Sequence, residues 1–410
     1  MARMTLVPGI QEHVVRLRHM TRVLAGIVVA SVAVLAIADA SPTSPGPLPD
    51  PSARLLEGDD ASEYWTLYIE LESGHRVSQR FLLTNAGPGK HTAVAVGHLT
   101  EPGREPYRYE NGRRRARWTL SEDRLYFDIA ASHLDLHRPQ AKLLITKEDI
   151  EIRLSFDFAK SDLSKSVPRN RLPKGYFVDI LAVAAPTTGS ILAPWMDTPL
   201  QTSGRTWMAH TWSTSAEAKL LDRRIDFYAR GGQAAGGVEG LFYGLQLQKA
   251  GGYKFHFQFG RDSKGNIIES IINEAEDWIE SARPAGERGS AAYPLPGDFR
   301  LTSPKSGLIT INPAWLRFDP LDVIPNPFRW FIRRMTQPQE VWADAEIDVT
   351  LWSASESPSN PPFDAGESPS LDQSLSNSDS KSERKTEKGS ATSSVTGVAS
   401  ITFMNPVDRR

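Results

Sequence analysis

Glu63-Tyr64-Trp65-Thr66-Leu67-Tyr68-Ile69-Glu70-Leu71-Glu72 puts Trp65, Leu67, Ile69 and Leu71 on one side of an extended chain and polar or tyrosine residues on the other. This period of two is the signature of a β-strand, because successive side chains of a pleated chain point to opposite faces. Moving outward, the same signal recurs at 75–84, 90–99, 123–131, 140–147 and 150–158, with turn residues between. Asn111-Gly112 lies between residues 107–110 and 113–120 and predicts a tight hairpin there. These spacings suit an up-and-down meander of about eight strands that closes into a barrel.

A polar stretch, Lys160 to Lys174, precedes a second run of strand signals at 176–185, 205–213, 223–230, 239–248, 253–260, 266–274, 306–313 and 340–352. No strand–helix alternation appears, so the fold class is all-β. The stretch 353–394 is serine-rich, with Phe363, Leu371 and Leu375 its only large apolar residues. It has too little apolar surface to offset the entropy of ordering and reads as a disordered insertion. Strand signal resumes at 395–405, which places the insertion inside a last hairpin whose second strand returns to residues 341–352. The organisation expected is thus a first barrel over 59–174 and a second over 175–352 plus 395–405.

The N-terminus reads as an address. Arg3, Arg16, Arg18 and Arg22 precede the uncharged run Val23 to Ala38, and Ala38-Asp39-Ala40 follows. This is the order of an export signal over residues 1–40, either cleaved or kept as a membrane anchor through 23–38. Residues 41–58 begin with Pro42, Pro45, Pro47, Pro49 and Pro51 and read as a stiff spacer. An exported, periplasmic or secreted protein follows, alternatively one anchored to the inner membrane. The chain has 410 residues, 40% of them apolar and 23% charged, with a net charge of −2 and no cysteine. Near-neutral charge argues against a nucleic-acid partner, and the missing thiols exclude disulfides and cysteine chemistry.

The run Gly204-Arg205-Thr206-Trp207-Met208-Ala209-His210-Thr211-Trp212-Ser213 resembles a motif, approximately G-x-x-W-M-D-H-x-W-G, of the tandem lipocalin-like (calycin) family. That family includes carotenoid 1,2-hydratases (hydroxyneurosporene synthases), AttH-type proteins and fungal survival-factor proteins. Gly204, Trp207, Met208, His210 and Trp212 match, and Glu63-Tyr64-Trp65 is similar to the family's first strand. Ala209 stands where the family has an acid, and Ser213 where it has glycine. The resemblance implies two tandem lipocalin-like antiparallel β-barrels and either a bound apolar ligand or hydratase chemistry.

Adding water to an unactivated double bond needs a positioned acid in a sheltered cavity. With Ala209 in the motif, Asp226 and Tyr228, which share a face of the next strand, are the candidates for a proton relay, with His210. Trp207, His210, Trp212 and Tyr228 are the candidate ligand contacts, although period two puts Trp207 on the face opposite His210 and Trp212. A histidine hydrogen-bonded within a barrel accounts for His210 equally well.

His133, Asp135 and His137 share a strand face, but no third nitrogen ligand is evident nearby, and neither a metal nor a cofactor is expected. The glycines of 231–237 lack the lysine of a phosphate loop and read as a hairpin loop. Arg113, Arg114, Arg115 and Arg117 read as a solvated strand edge. Phe328, Trp330 and Phe331 among Arg333 and Arg334 form an aromatic–basic segment, suited to a membrane surface or to covering a barrel end.

The leading expectation is an exported lipocalin-like binder, and carrier, of a hydrophobic small molecule such as a lipid or isoprenoid. The rivals are a hydratase, isomerase or cyclase acting on an isoprenoid or polyene, and a structural envelope protein without a ligand.

Overall fold

In the computed structural model the described residues are 48–86, 90–161, 163–231, 240–250, 252–261, 267–272, 278–282, 293, 296–301, 307–323, 329–330, 333, 336–348 and 394–406. The expected signal or anchor, residues 41–47 of the spacer and nearly all of the serine-rich insertion lie outside them. The fold is all-β. Its strands are β1 (Ser62–Leu71), β2 (Arg76–Thr84), β3 (Thr92–Thr100), β4 (Tyr107–Arg113), β5 (Thr119–Leu120), β6 (Tyr126–Ile129), β7 (Ser132–Asp135), β8 (Gln140–Lys147), β9 (Ile150–Asp157), β10 (Lys165–Ser166), β11 (Tyr176–Leu192) and β12 (Leu200–Ser213). There follow β13 (Arg223–Gly231), β14 (Leu241–Lys249), β15 (Tyr253–Arg261), β16 (Ile267–Ile272), β17 (Trp278–Ala282), β18 (Pro296–Leu301), β19 (Gly307–Phe318), β20 (Gln339–Asp348) and β21 (Ser394–Phe403).

Two antiparallel sheets result. The first runs β4-β3-β2-β1-β12-β11-β9-β8-β7-β6-β5, with β10 beside β11, and the second β16-β15-β14-β13-β21-β20-β19-β18-β17. Residues Pro49–Arg410 form one compact unit. The first sheet curls until its ends approach: Asn111 Nδ2 on β4 donates to Ser132 Oγ on β7 at 2.9 Å. This corrects the hairpin expected at Asn111-Gly112, since both residues lie inside β4, paired with Ala95 and Val94. A side-chain partner across the curl holds the asparagine in extended backbone, which local turn preference does not anticipate.

The boundary expected at 174/175 also differs from the pairing. β11 and β12 belong to the first sheet, where β12 pairs with β1 from Ser62↔Ser213 to Leu71↔Gly204. The polar stretch 160–174 marks a change of composition, whereas sheet membership follows from backbone hydrogen bonding that composition does not report. β21 returns to β20, from Gln339↔Phe403 to Asp348↔Ser394.

Alternation then sorts side chains into three layers. Trp65, Phe81, Phe127, Leu143, Phe156 and Met208 pack inside the first sheet. Ile225, Phe227, Val341, Ala343, Ala399 and Ile401 pack inside the second. Between the sheets lie Tyr68, Trp207, Tyr228, Tyr243, Phe257 and Trp342. β1 and β12 bury both faces, one toward the first core and one toward the second sheet. That two-sided burial explains why tyrosines occupy the "polar" positions of the opening stretch.

Gly204, which the motif supplies, sits where β12 meets β1 closely. A Cβ there would lie 2.1 Å from Glu70 O and 2.8 Å from Leu71 Cα, both backbone atoms that cannot swing aside. We expect Gly204→Val to destabilise the protein by about 2 kcal/mol or more through overpacking, read as a lower urea midpoint with unchanged slope.

Candidate functional site

His210 and Trp212 point into the first sheet, as alternation requires. His210 Nε2 meets Glu63 Oε1 at 2.8 Å with both side chains buried, and the imidazole stacks on Trp65 at 4.4 Å. Glu63 also accepts from the Arg54 and Leu55 amides at 2.7 and 3.1 Å. Trp65 Nε1 donates to Pro51 O at 3.0 Å, and Trp212 stacks on Phe177 at 5.2 Å. The pair His210–Glu63 thus anchors the incoming chain across the first barrel. Inside the first sheet His210 faces Glu63 and Trp65, and Trp212 faces Phe177.

Trp207, Asp226 and Tyr228 lie on the other side, in the layer between the sheets. Trp207 Nε1 donates to Phe242 O at 3.0 Å, tying β12 to β14. Asp226 is held by Arg224, with Nε to Oδ2 and Nη2 to Oδ1 both at 2.7 Å, and accepts from Tyr243 Oη at 2.5 Å. Arg224 Nη1 also donates to Tyr64, Tyr176 and Thr211 at 2.9, 2.7 and 2.9 Å. Both carboxylate oxygens are therefore engaged, and Asp226 orients Arg224 rather than a ligand. The Tyr228 ring stacks on Tyr68 at 5.0 Å and on Trp342 at 5.9 Å. Its hydroxyl is buried with no hydrogen-bond partner. Burial pushes the Tyr228 phenol well above its ordinary pKa, and Asp226 and Tyr243 add to this, so it stays protonated.

Beside these residues a cavity of about 10 Å³ is lined by Thr66, Ser78, Arg80, His98, Glu340 and Trp342, among others, room for about one water. Arg80 Nη1 forms an ion pair with Glu340 Oε2 at 2.7 Å, while Arg80 Nε and His98 Nε2 have no hydrogen-bond partner. Trp342 Nε1 donates to Glu340 Oε1 at 2.9 Å. Register sets Thr402 beside Glu340 and Ser400 beside Trp342. Their hydroxyls also lack partners. Burial pushes the His98 imidazole down to about 3, with the Arg108 guanidinium contributing. Arg80, His98, Arg224 and Glu340 escaped sequence reasoning. The one legible sign was a strand with opposite charges two apart, Arg224 and Asp226, opposite an apolar face.

The remaining candidates sit elsewhere. His137 lies between Asp135, at 2.5 Å, and Asp123, at 2.7 Å, on the surface. Hydrogen bonds donated to Asp135 and then to Asp123 raise its pKa. No cluster of residues able to hold a metal occurs among the described residues. Trp330 is 56% exposed. Arg333 pairs with Asp319 and Asp322. Phe328, Phe331 and Arg334 lie outside the described residues. No described helix is long and apolar enough to cross a membrane. A depression of about 490 Å³ on the rim of the first sheet, lined by Glu148, Asp149, Glu151, Leu192 and Met196, opens to solvent.

Two outcomes follow from the buried groups. Asp226→Asn leaves Arg224 uncompensated in a dry layer and should cost about 3–5 kcal/mol of stability by denaturant unfolding. His98 binds its proton only near pH 3 when folded, against 6.5 as the ordinary value. Between those limits the unfolded chain holds more protons, so stability should fall as pH drops from 6.5. Unfolding at pH 7 and 4.5 should show that loss, and His98→Gln should reduce it.

No protein-family model matches the chain, and no curated protein matches it by sequence. Among solved structures, it is similar to a protein assigned as an AttH from Nitrosomonas europaea, with TM-score 0.55 and 12% identity over 88% of this chain and 99% of that one. Kievitone hydratase from Nectria haematococca has TM-score 0.49 and 8% identity over 88% and 94% of the two chains. CghA with Sch210972 has 0.48 and 9% over 87% and 94%. At such identities the likeness is one of fold. The chain has the tandem lipocalin-like fold of the AttH structure, the fold its Gly204–Ser213 motif implies.

Proposed function

We propose that the protein binds a hydrophobic small molecule of lipid or isoprenoid type in the cleft between its two sheets, and carries it. The observation supporting this is the set of buried polar atoms without a hydrogen-bond partner in this layer, Arg80 Nε, His98 Nε2, Tyr228 Oη and Ser400 Oγ, among aromatic rings. Each unmet buried group costs about 1–3 kcal/mol, and native interiors hold few of them. The polar end of one ligand would satisfy several at once. Tyr68, Trp207, Tyr228 and Trp342, with half-buried Trp315, would cover its body, at roughly 25 cal/mol for each Å² removed from water. Entry requires the rings to turn, since the cavity as it stands takes one water. Export through residues 1–40 and delivery at a membrane through the Trp330 segment belong to the same proposal.

A second reading is a hydratase, isomerase or cyclase of a polyene. Tyr228 favours it, as a protonated hydroxyl facing the cleft without a partner. In this reading Asp226 acts on Tyr228 only through its charge.

Full-length protein purified from native host extract, denatured and extracted, should yield a reproducible apolar compound by mass spectrometry. Trp342→Ala should lose it. A compound that the protein converts to one heavier by water, or to an isomer, selects the enzyme reading. Repeated extracts with no compound would sink both.

A further inference from the structure

Residues 112–120 carry four arginines, Arg113, Arg114, Arg115 and Arg117, and no acid. Arg113 closes β4, the terminal strand of the first sheet. The other three lie beyond the strand, in the single 3₁₀ turn Arg115–Arg117 with Arg114 as its N-terminal flank. The strand-edge role expected for the run is thus confined to Arg113. Arg117 N donates to Arg114 O at 2.8 Å and closes the turn. Trp118, 5% exposed, fastens it: its Nε1 donates to His91 O at 2.8 Å, and the Arg115 guanidinium lies 4.5 Å over its ring. Arg114, Arg115 and Arg117 are therefore exposed on a turn of fixed shape.

Their charge goes unmatched. The side-chain hydrogen bonds of Arg113 and Arg115 run to backbone carbonyls, Gly112 O at 2.7 Å and Trp118 O at 3.2 Å. Among the described residues no carboxylate stands at ion-pair distance from any of the four. Glu110, the acid preceding the run, is taken by Arg108 at 2.7 Å. Elsewhere on the surface Arg54, Arg76, Arg104 and Arg153 each meet an acid within 2.7 Å. A 3₁₀ turn rises about 2 Å per residue, so the three backbone positions fall within one Debye length, about 8 Å in physiological salt, and their fields add.

A second observation gives the patch a direction. His91, whose carbonyl holds Trp118, donates through Nε2 to Leu56 O at 3.1 Å. Leu56 belongs to the segment that leads from Pro49 into β1, so the arginine turn sits beside the path by which the N-terminal residues join the first sheet. Residues 39–48 separate that segment from the uncharged run 23–38, and ten residues reach about 35 Å at most. A bilayer holding the run is within reach of the arginines.

We propose that Arg114, Arg115 and Arg117 form a docking surface for an anionic bilayer, each guanidinium pairing with a lipid phosphate. Arginine takes phosphate in a bidentate fork. Lipid headgroups are separate molecules that diffuse to a compact patch. A single-stranded nucleic acid stacks its bases on open rings, and here Trp118 is buried and covered by Arg115. The large apolar side chains exposed among the described residues, Leu48, Leu200, Ile267 and Trp330, lie outside the turn. The contact is accordingly electrostatic and weakened by salt. It depends neither on the cleft nor on a ligand there, so the extraction experiment above can fail without it.

The test measures sedimentation of the full-length protein with vesicles of one part phosphatidylglycerol to three parts phosphatidylcholine, and with vesicles of phosphatidylcholine alone. The ratio of the two affinities cancels any insertion of residues 23–38, which is common to both. The wild type should prefer the anionic vesicles, and the preference should shrink as salt rises from about 0.1 to about 0.5 M. Arg114→Gln, Arg115→Gln and Arg117→Gln together should cut it roughly hundredfold, about fivefold for each arginine, with the urea midpoint unchanged. Should that variant fail to fold, Arg114→Gln with Arg117→Gln, which make no side-chain bond among the described residues, should cut it roughly twentyfold. A preference within threefold of wild type in the folded variant overturns the proposal, as does a wild type indifferent to phosphatidylglycerol. So does tighter binding to heparin or to a single-stranded oligonucleotide than to the anionic vesicles at equal negative charge, which assigns the turn to a polyanion.

Discussion

A guanidinium taken out of water must find an acceptor for each of its N–H groups. Arg224 is 2% exposed. Its partners come from five strands: Tyr64 on β1, Tyr176 on β11, Thr211 on β12, Asp226 on β13 and Tyr243 on β14. The first three belong to one sheet and the last two to the other. The relative placement of the sheets is thus constrained by a charge that tolerates no loose geometry, in a layer where Coulomb interactions are weakly screened. Trp207, reaching the Phe242 carbonyl, adds a second tie of the same kind.

Strand alternation turns that constraint into a division of labour. Along β12, odd positions face the second sheet and even positions face the first core. Trp207 therefore joins the cleft, while His210 closes on Glu63 in the first barrel. Along β13, Arg224, Asp226 and Tyr228 face the cleft, and Ile225, Phe227 and Ala229 face the second interior. The second sheet consequently offers two chemically different faces. One is aromatic with paired charges, and the other aliphatic with neutral amides and an imidazole.

Much of the fold was legible. Period two is a local property of the chain, so Trp65, Leu67, Ile69 and Leu71 announce a strand without knowledge of what they meet. The Gly204–Ser213 motif pointed to the architecture. Asn111-Gly112 misled, because a turn preference of this kind yields to a partner such as Ser132 brought near by curling of the sheet. β11 and β12 join the first sheet beyond the polar stretch 160–174, because strands pair by geometry and β12 meets β1 in the middle of that sheet. Half of the candidate site was visible. Asp226 and Tyr228 were named from their shared face and Trp207 from the motif, and all three lie in one layer. Arg80, His98 and Glu340 look in sequence like solvated positions of exposed strands, since each lies opposite apolar neighbours.

The sequence by itself determined that this chain forms antiparallel strands, which side chains share a face, and that a chain without cysteine has no thiol chemistry. Only the tertiary structure decided that both faces of β13 are dry, which strands complete the first sheet, and that Asp226 serves Arg224. The reason is range. Alternation acts between neighbours along the chain, whereas burial of a second face depends on a sheet built from residues more than a hundred positions away.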